Sequence, residues 1–146
     1  MNGRAFLTVA DALILQTSEA SWRSAVSRAY YAAFHVAQQL FHDLGFTVPR
    51  GDRAHGYLWL RLSNCGNSQV QIAGKDLKDL RGDRNWADYD LSFLLTQTLA
   101  SNQINAAKGI IRLLDNARSS IGHLSQIADS MKIYERDVLK DVTWHP

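Results

Sequence analysis

The sequence predicts an all-α protein, folded as an antiparallel up-and-down bundle of five to six helices. Three observations lead there. Apolar residues recur every three or four positions over long runs, the period of a helix face. Only two prolines occur, Pro49 and Pro146, so long helices are not interrupted. No stretch alternates apolar and polar residues long enough for a convincing strand. A chain of 146 residues with 46% hydrophobic content fits one domain with one core.

Each element follows from its own pattern. Gly3 to Gln16 reads as the first helix, with Phe6, Val9, Ala10, Leu13 and Ile14 on one side. Thr17 to Ala20 is a link of the length that joins antiparallel helices. The longest helix runs from Trp22 to Leu44. Its inner face is Trp22, Val26, Ala29, Ala33, Val36, Leu40 and Leu44, with Ser18 and Ser21 as candidate caps and Gly45 as the stop. Gly45 to Arg53 is a loop marked by Pro49 and Gly51. Ala54 to Leu62 is a shorter helix. The turn formers of Ser63 to Ser68 end it.

The next helix starts near Gln69, with Val70, Ala73, Leu77 and Leu80 inward and Lys75, Lys78, Asp79 and Arg81 outward. Gly82 is expected to loosen or kink it, at a cost of about 1 kcal/mol relative to alanine. Leu91 to Leu95 bridges to a helix from about Thr98, whose expected buried face is Leu99, Ala106, Ile110, Leu113 and Ala117. Gly122 is expected to break the chain. Residues 1–122 form the expected bundle. Residues 123–146 form an amphipathic helix over Leu124–Lys140 and a tail packed on the same domain. The terminal DVTWHP is expected to fray.

Composition excludes several classes of function. No apolar run nears the ~20 residues of a membrane span. Asp11 interrupts the apolar part of the first helix, which is unlike a secretory leader, so the expected location is cytoplasmic. Net charge is +2, too little for nonspecific duplex binding without a local patch. Cys65 is the lone cysteine and has no base beside it, so it has no catalytic role. Asp76, Asp79 and Asp83 read as a solvated face, and no metal site or cofactor is called for.

Two stretches carry candidate chemistry. On the Trp22–Leu44 helix, Ser24, Arg28, Tyr31, His35 and His42 form a polar stripe beside the apolar one. Such a stripe is usually a solvated exterior, and otherwise it faces a cleft or a partner. The second stretch, RGDRNWADYDL, places Arg81, Arg84, Asp88 and Tyr89 within about two turns. Arg84 and Asp88 stand four apart, which as a surface pair contributes a few tenths of a kcal/mol at best. Yet arginine offers a planar fork for phosphate, and aromatic rings offer stacking faces for bases.

SAVSRAYYAAFHVAQQL (Ser24–Leu40) followed by LRGDRNWADYDL (Leu80–Leu91) resembles the HEPN domain. The nearest likeness is to small stand-alone members with an SRAYYA helix and an R-N-x-A-D-Y turn. The resemblance covers roughly Arg4 to Ala117. It implies a helical bundle that commonly forms a homodimer, frequent pairing with a minimal nucleotidyltransferase, and roles in toxin–antitoxin or defence systems. Many members are metal-independent ribonucleases, whose motif is an arginine followed, about four to six residues on, by a histidine.

Here Arg84 matches the arginine, but no histidine follows it through Leu91. A group titrating near neutrality is the usual general base, and tyrosine, near ~10, is a poor one. The expectation is therefore RNA or nucleotide binding by Arg28, Tyr31, Arg81 and Arg84, with a degenerate ribonuclease motif. The rivals are an active ribonuclease using Arg84 with Asp88, Tyr89 or His35, and a non-catalytic interaction domain. In some paired systems the transferase adenylates a tyrosine just after the motif, and the resemblance puts Tyr89 near that place.

Overall fold

The computed structural model describes all 146 residues. Six helices account for the architecture: α1 (Ala5–Leu13), α2 (Glu19–Asp43), α3 (Arg53–Leu62), α4 (Ser68–Tyr89), α5 (Gln97–Arg118) and α6 (Ile121–Tyr134). A π-helical turn, Glu135–Leu139, follows. No helix is long and apolar enough to cross a membrane.

The centre of the bundle is α2. It starts three residues ahead of Trp22, because the Ser18 side chain accepts from the Ser21 amide at 3.1 Å and caps the first turn. It ends at Gly45, whose φ of +92° suits glycine. Helices α1, α4 and α5 all pack on it, so the buried surface is far wider than one stripe. Ala25, Ala29, Ala32, Ala33 and Ala37 are fully buried and let neighbours approach closely. Tyr30, Leu40 and Phe41 fill the space between.

The other helices start and stop for local reasons. α1 is shorter than the apolar pattern alone predicts, and the residues beside it, Gly3–Arg4 and Ile14–Leu15, form turns. Asn67 caps α4 by accepting from the Val70 amide at 3.1 Å, and Thr96 caps α5 by accepting from Leu99 at 3.1 Å. α4 is one helix through Gly82. The expected loosening does not occur, because the loss at one exposed glycine is small beside the burial of Leu77, Leu80, Arg84 and Ala87 around it. Gly74 is where α3 and α4 meet backbone to side chain. A Cβ there would sit 2.7 Å from the Ser63 nitrogen.

Three expectations are corrected. The buried face of α5 is Ala100, Gln103, Ile104, Ala107, Ile110, Ile111, Leu114 and Ala117. Leu99 and Ala106 face outward and Leu113 is partly covered, because the face packed on α2 and α4 runs through the adjacent positions Ala100, Ala107 and Leu114. Gly122 does not break the chain but lies inside the first turn of α6, whose cap is Ser120, accepting from the His123 amide at 3.3 Å.

The tail is not frayed. The Thr47 amide donates to the Thr143 carbonyl at 3.0 Å and the His145 amide to the Gly45 carbonyl at 2.9 Å, so Trp144 bridges to Phe46. The Trp144 indole N–H donates to the Leu44 carbonyl at 3.1 Å. Beneath this clasp is a buried ion pair. Arg61 Nε donates to Glu135 Oε2 at 2.8 Å, and these side chains are 4% and 0% exposed. The same carboxylate accepts from the Thr143 amide at 2.9 Å and hydroxyl at 2.5 Å.

An arginine–tyrosine groove as candidate functional site

The candidate site lies where α4 packs on α2. Arg81, Arg84 and Asp88 are three and four apart, which places them on one side of α4. That side faces Ser27, Tyr30 and Tyr31 of α2. The Arg84 guanidinium carbon lies 5.6 Å from the Tyr30 ring centre and 5.4 Å from that of Tyr31. The Arg28 guanidinium reaches the same Tyr31 ring at 5.2 Å and the Phe6 ring of α1 at 5.2 Å. The two arginines, 56 positions apart in the chain, thus converge on one tyrosine.

One carboxylate joins the group. Asp88 Oδ2 accepts from Ser27 Oγ at 3.2 Å and from Arg84 Nη1 at 3.5 Å. Arg28 Nη2 donates to the same Ser27 hydroxyl at 3.4 Å. These are long contacts, at the weak end of the range. Arg84 is only 8% exposed, and its Nε has no partner; the buried Nε of Arg81 has none either. Buried donors of charged groups are normally paired. The groove is therefore rich in cationic donors and short of acceptors, the composition that suits an anion.

A histidine lies behind the tyrosines. His55 of α3 is 6% exposed and shares a 2.5 Å hydrogen bond between its Nδ1 and the Tyr30 hydroxyl. It packs on Tyr30 at 5.6 Å and Phe34 at 4.9 Å between ring centres. Burial pushes its pKa below the usual histidine value, and Arg81 and Arg84 push it the same way against a weaker pull from Asp52. It is neutral at pH 7. Burial also pushes the Tyr30 hydroxyl far above the normal tyrosine range, partly offset by Arg81 and Arg84.

The structure brings Arg28, Tyr31, Arg84 and Asp88 together, with Arg81 beside His55. It does not bring in the other candidates. His35 touches Tyr31 only at 6.4 Å between ring centres, stacks on Phe6 at 5.6 Å, and faces a separate cleft with Arg4, His42 and Arg118. Tyr89 is 77% exposed at the end of α4. Ser27, Tyr30 and His55 were not singled out from the sequence. The signal for His55 was its spacing with Leu58 and Leu62, which puts it on the inner face of α3. No group of three or more histidines, cysteines or carboxylates could hold a metal ion.

The end of α4 is set from α2. Arg23, 7% exposed, donates from Nη1 to the carbonyls of Ala87 and Asp90, each at 2.8 Å, and to that of Trp86 at 3.5 Å. Its Nη2 donates to the Phe93 carbonyl, and its Nε to Glu19 at 3.0 Å. The Ala87 carbonyl in the last turn of α4 and the Asp90 and Phe93 carbonyls just beyond it thus receive a guanidinium cap.

No curated protein and no solved structure gives a significant match to the chain. The family model for the HEPN domain matches residues 4–117, a span that includes α1 to nearly the end of α5 and every residue of the groove. This chain belongs to the HEPN domain family.

Proposed function

We propose that the groove between α2 and α4 binds the phosphate of RNA or of a nucleotide, with Arg84, Arg81 and Arg28 as the anion ligands and Tyr31 as their shared platform. The observation that carries this reading is the Arg84 guanidinium, nine-tenths buried with an unpartnered Nε. A phosphate oxygen is a stronger acceptor for this guanidinium than the single 3.5 Å contact to Asp88 that the protein gives it. Binding without cleavage is the favoured form. The motif histidine is missing, Asp88 is engaged by Ser27 and Arg84, and His35 is turned to Gln38 at 3.3 Å.

The test is single-stranded RNA binding and cleavage, both in EDTA, for wild type and Arg84→Ala. The expected result is tight binding by wild type, at least a tenfold loss in the variant, and no cleavage by either. Cleavage by wild type that Arg84→Ala abolishes would favour the ribonuclease rival. Binding to neither RNA nor nucleotide would leave an interaction domain.

The setting we propose is a cytoplasmic toxin–antitoxin or defence pair with a minimal nucleotidyltransferase, acting as a homodimer. Two features support it. Leu91 and Leu94 are 76% and 67% exposed beside Tyr89, an apolar run suited to a second copy. The Tyr89 hydroxyl is exposed and makes no side-chain hydrogen bond, so it is open to adenylate transfer from ATP with release of pyrophosphate. Incubation with the neighbouring transferase and ATP should add one adenylate by intact mass; no gain with an active transferase would remove this element.

A further inference from the structure

Between them α3 and α4 leave an open pocket of about 600 Å³, lined by Trp59, Ser63, Asn64, Lys75, Lys78 and Asp79. We propose that the Trp59 ring is a stacking platform for one base of single-stranded RNA, with Lys78 and Lys75 on the phosphates beside it. The proposal rests on the nucleic-acid reading above and narrows it, because the ligand becomes a strand rather than a lone nucleotide.

Position is the first reason. Lys78, Arg81, Asn85 and Asp88 follow one another at steps of three and four, so they form one stripe of α4, and Arg84 lies next to its far end. α3 runs beside that stripe. His55 is close enough to feel the charge of Arg81, and one turn further along α3, Trp59 meets Lys78. The pocket therefore continues the arginine groove along the seam between α3 and α4. Lys78 and Arg84 are six residues apart, about 9 Å along the axis. Charges in a stacked strand recur about every 3.4 Å, so the two cations meet different nucleotides.

Trp59 itself is the second reason. It is half-buried, partly packed on the core and partly lining the pocket. The ring pairs with no other aromatic ring, and its indole N–H has no partner in the protein. Trp22 and Trp144 by contrast donate theirs to the Gln16 and Leu44 carbonyls. A large ring left unpaired at the wall of an open pocket suits an unpaired base.

Charge is the third. Lys75 and Lys78 are exposed, and neither forms an ion pair. Asp79 is the one carboxylate of the lining, so the pocket is cationic. The Lys78 ammonium lies over the Trp59 ring at 4.3 Å from its centre. An exposed contact of this kind is weaker than a base stacked on an aromatic side chain. An arriving base therefore takes the ring, and the displaced ammonium turns on its flexible stem to a phosphate oxygen.

The experiment uses the full chain and two single-stranded RNAs of equal length, one with bases and one abasic throughout. Affinities are read by fluorescence anisotropy of end-labelled strands for wild type, Trp59→Leu, Trp59→Phe, Lys78→Gln and Arg84→Ala. Trp59→Leu should lose about tenfold for the strand with bases, the effect of one lost stack, and under about twofold for the abasic one. Trp59→Phe should recover most of that loss. Lys78→Gln should weaken both strands and lower the slope of log affinity against log salt by about 0.7. A Trp59 that only braces α3 on α4 would weaken both strands alike. One further reading needs no leucine variant. The wild-type Trp59 indole N–H resonance, assigned by its absence from Trp59→Phe, should shift with the strand that has bases and stay in place with the abasic one.

Equal losses on the two strands, or an indole signal that neither strand moves, overturns the proposal. If Arg84→Ala still weakens the abasic strand in that case, the groove reading stands by itself. If Trp59→Leu acts on the strand with bases while Arg84→Ala changes neither, the groove reading fails and the platform stands alone. Binding of neither strand to wild type ends both.

Discussion

Replacing Glu135 by glutamine keeps the shape of the side chain and removes its charge. The carboxylate is fully buried and takes three hydrogen bonds, from Arg61 Nε at 2.8 Å, the Thr143 amide at 2.9 Å and the Thr143 hydroxyl at 2.5 Å. Glutamine retains one carbonyl acceptor for Thr143 but turns an amide toward a guanidinium that is itself 4% exposed. The other acid near Arg61 is Asp141, at 3.3 Å and 62% exposed, too well solvated to compensate. Breaking one side of a buried pair costs about 3–5 kcal/mol, a large share of the roughly 5–15 kcal/mol that holds a domain together.

With a urea slope of about 2 kcal/mol/M, the unfolding midpoint should fall by about 1.5 M or more. The double variant Arg61→Met with Glu135→Met should recover most of the loss, since a buried pair is often replaceable by apolar residues of like volume. Equilibrium unfolding by circular dichroism at pH 7 measures both. A shift under 0.5 M for Glu135→Gln (about 1 kcal/mol) would refute the argument, because the pair would then contribute no more than an exposed one.

Gly82→Ala should stabilise by about 0.5–1 kcal/mol, since the added Cβ meets nothing; Gly74→Ala should destabilise by about 1–3 kcal/mol, since its Cβ would lie 2.7 Å from Ser63 N. Thermal melts separate the two. Arg84→Ala should lower the slope of log affinity for single-stranded RNA against log salt by about 0.7, and an unchanged slope would remove Arg84 from the phosphate contacts. His55 has a folded pKa below its ordinary value of 6.5, so the native state binds fewer protons than the unfolded one. Its contribution is therefore neutral above that pH and turns against the fold as pH drops through it. The melting temperature of wild type should fall between pH 7.5 and 5 more than that of His55→Gln.

The fold was legible because helix periodicity and cap residues are local signals. The central stripe of α2 and the inward Val70, Ala73, Leu77 and Leu80 of α4 could be read from spacing. Ser27, Tyr30 and the turn of Arg81 toward the groove could not, since Arg81 reads as outward and yet has its Nε buried. On α5 the stripe was read partly out of register: Leu99, Ala106 and Leu113 look like core, whereas the neighbouring Ala100, Ala107 and Leu114 are buried with Ile104 and Ile111. The tail looked frayed because DVTWHP has no periodicity, and its order comes from Gly45, Thr47 and Glu135, partners that no local pattern reveals. The convergence of Arg28 and Arg84 could be anticipated from two motifs. Arg23 could not, since a charged residue near the start of a helix gives no sign of seeking carbonyls some 60 to 70 positions downstream.

That cap has a consequence for how the protein is made. While the ribosome is still extending α4, the Arg23 fork has only Glu19 to bind, and enclosing it then would strand a cation in an apolar interior. Its acceptors exist only once residues 86–93 have emerged. The first turn of α2 should therefore stay hydrated until that point and shut as α4 docks, so the two ends of the groove mature in one event.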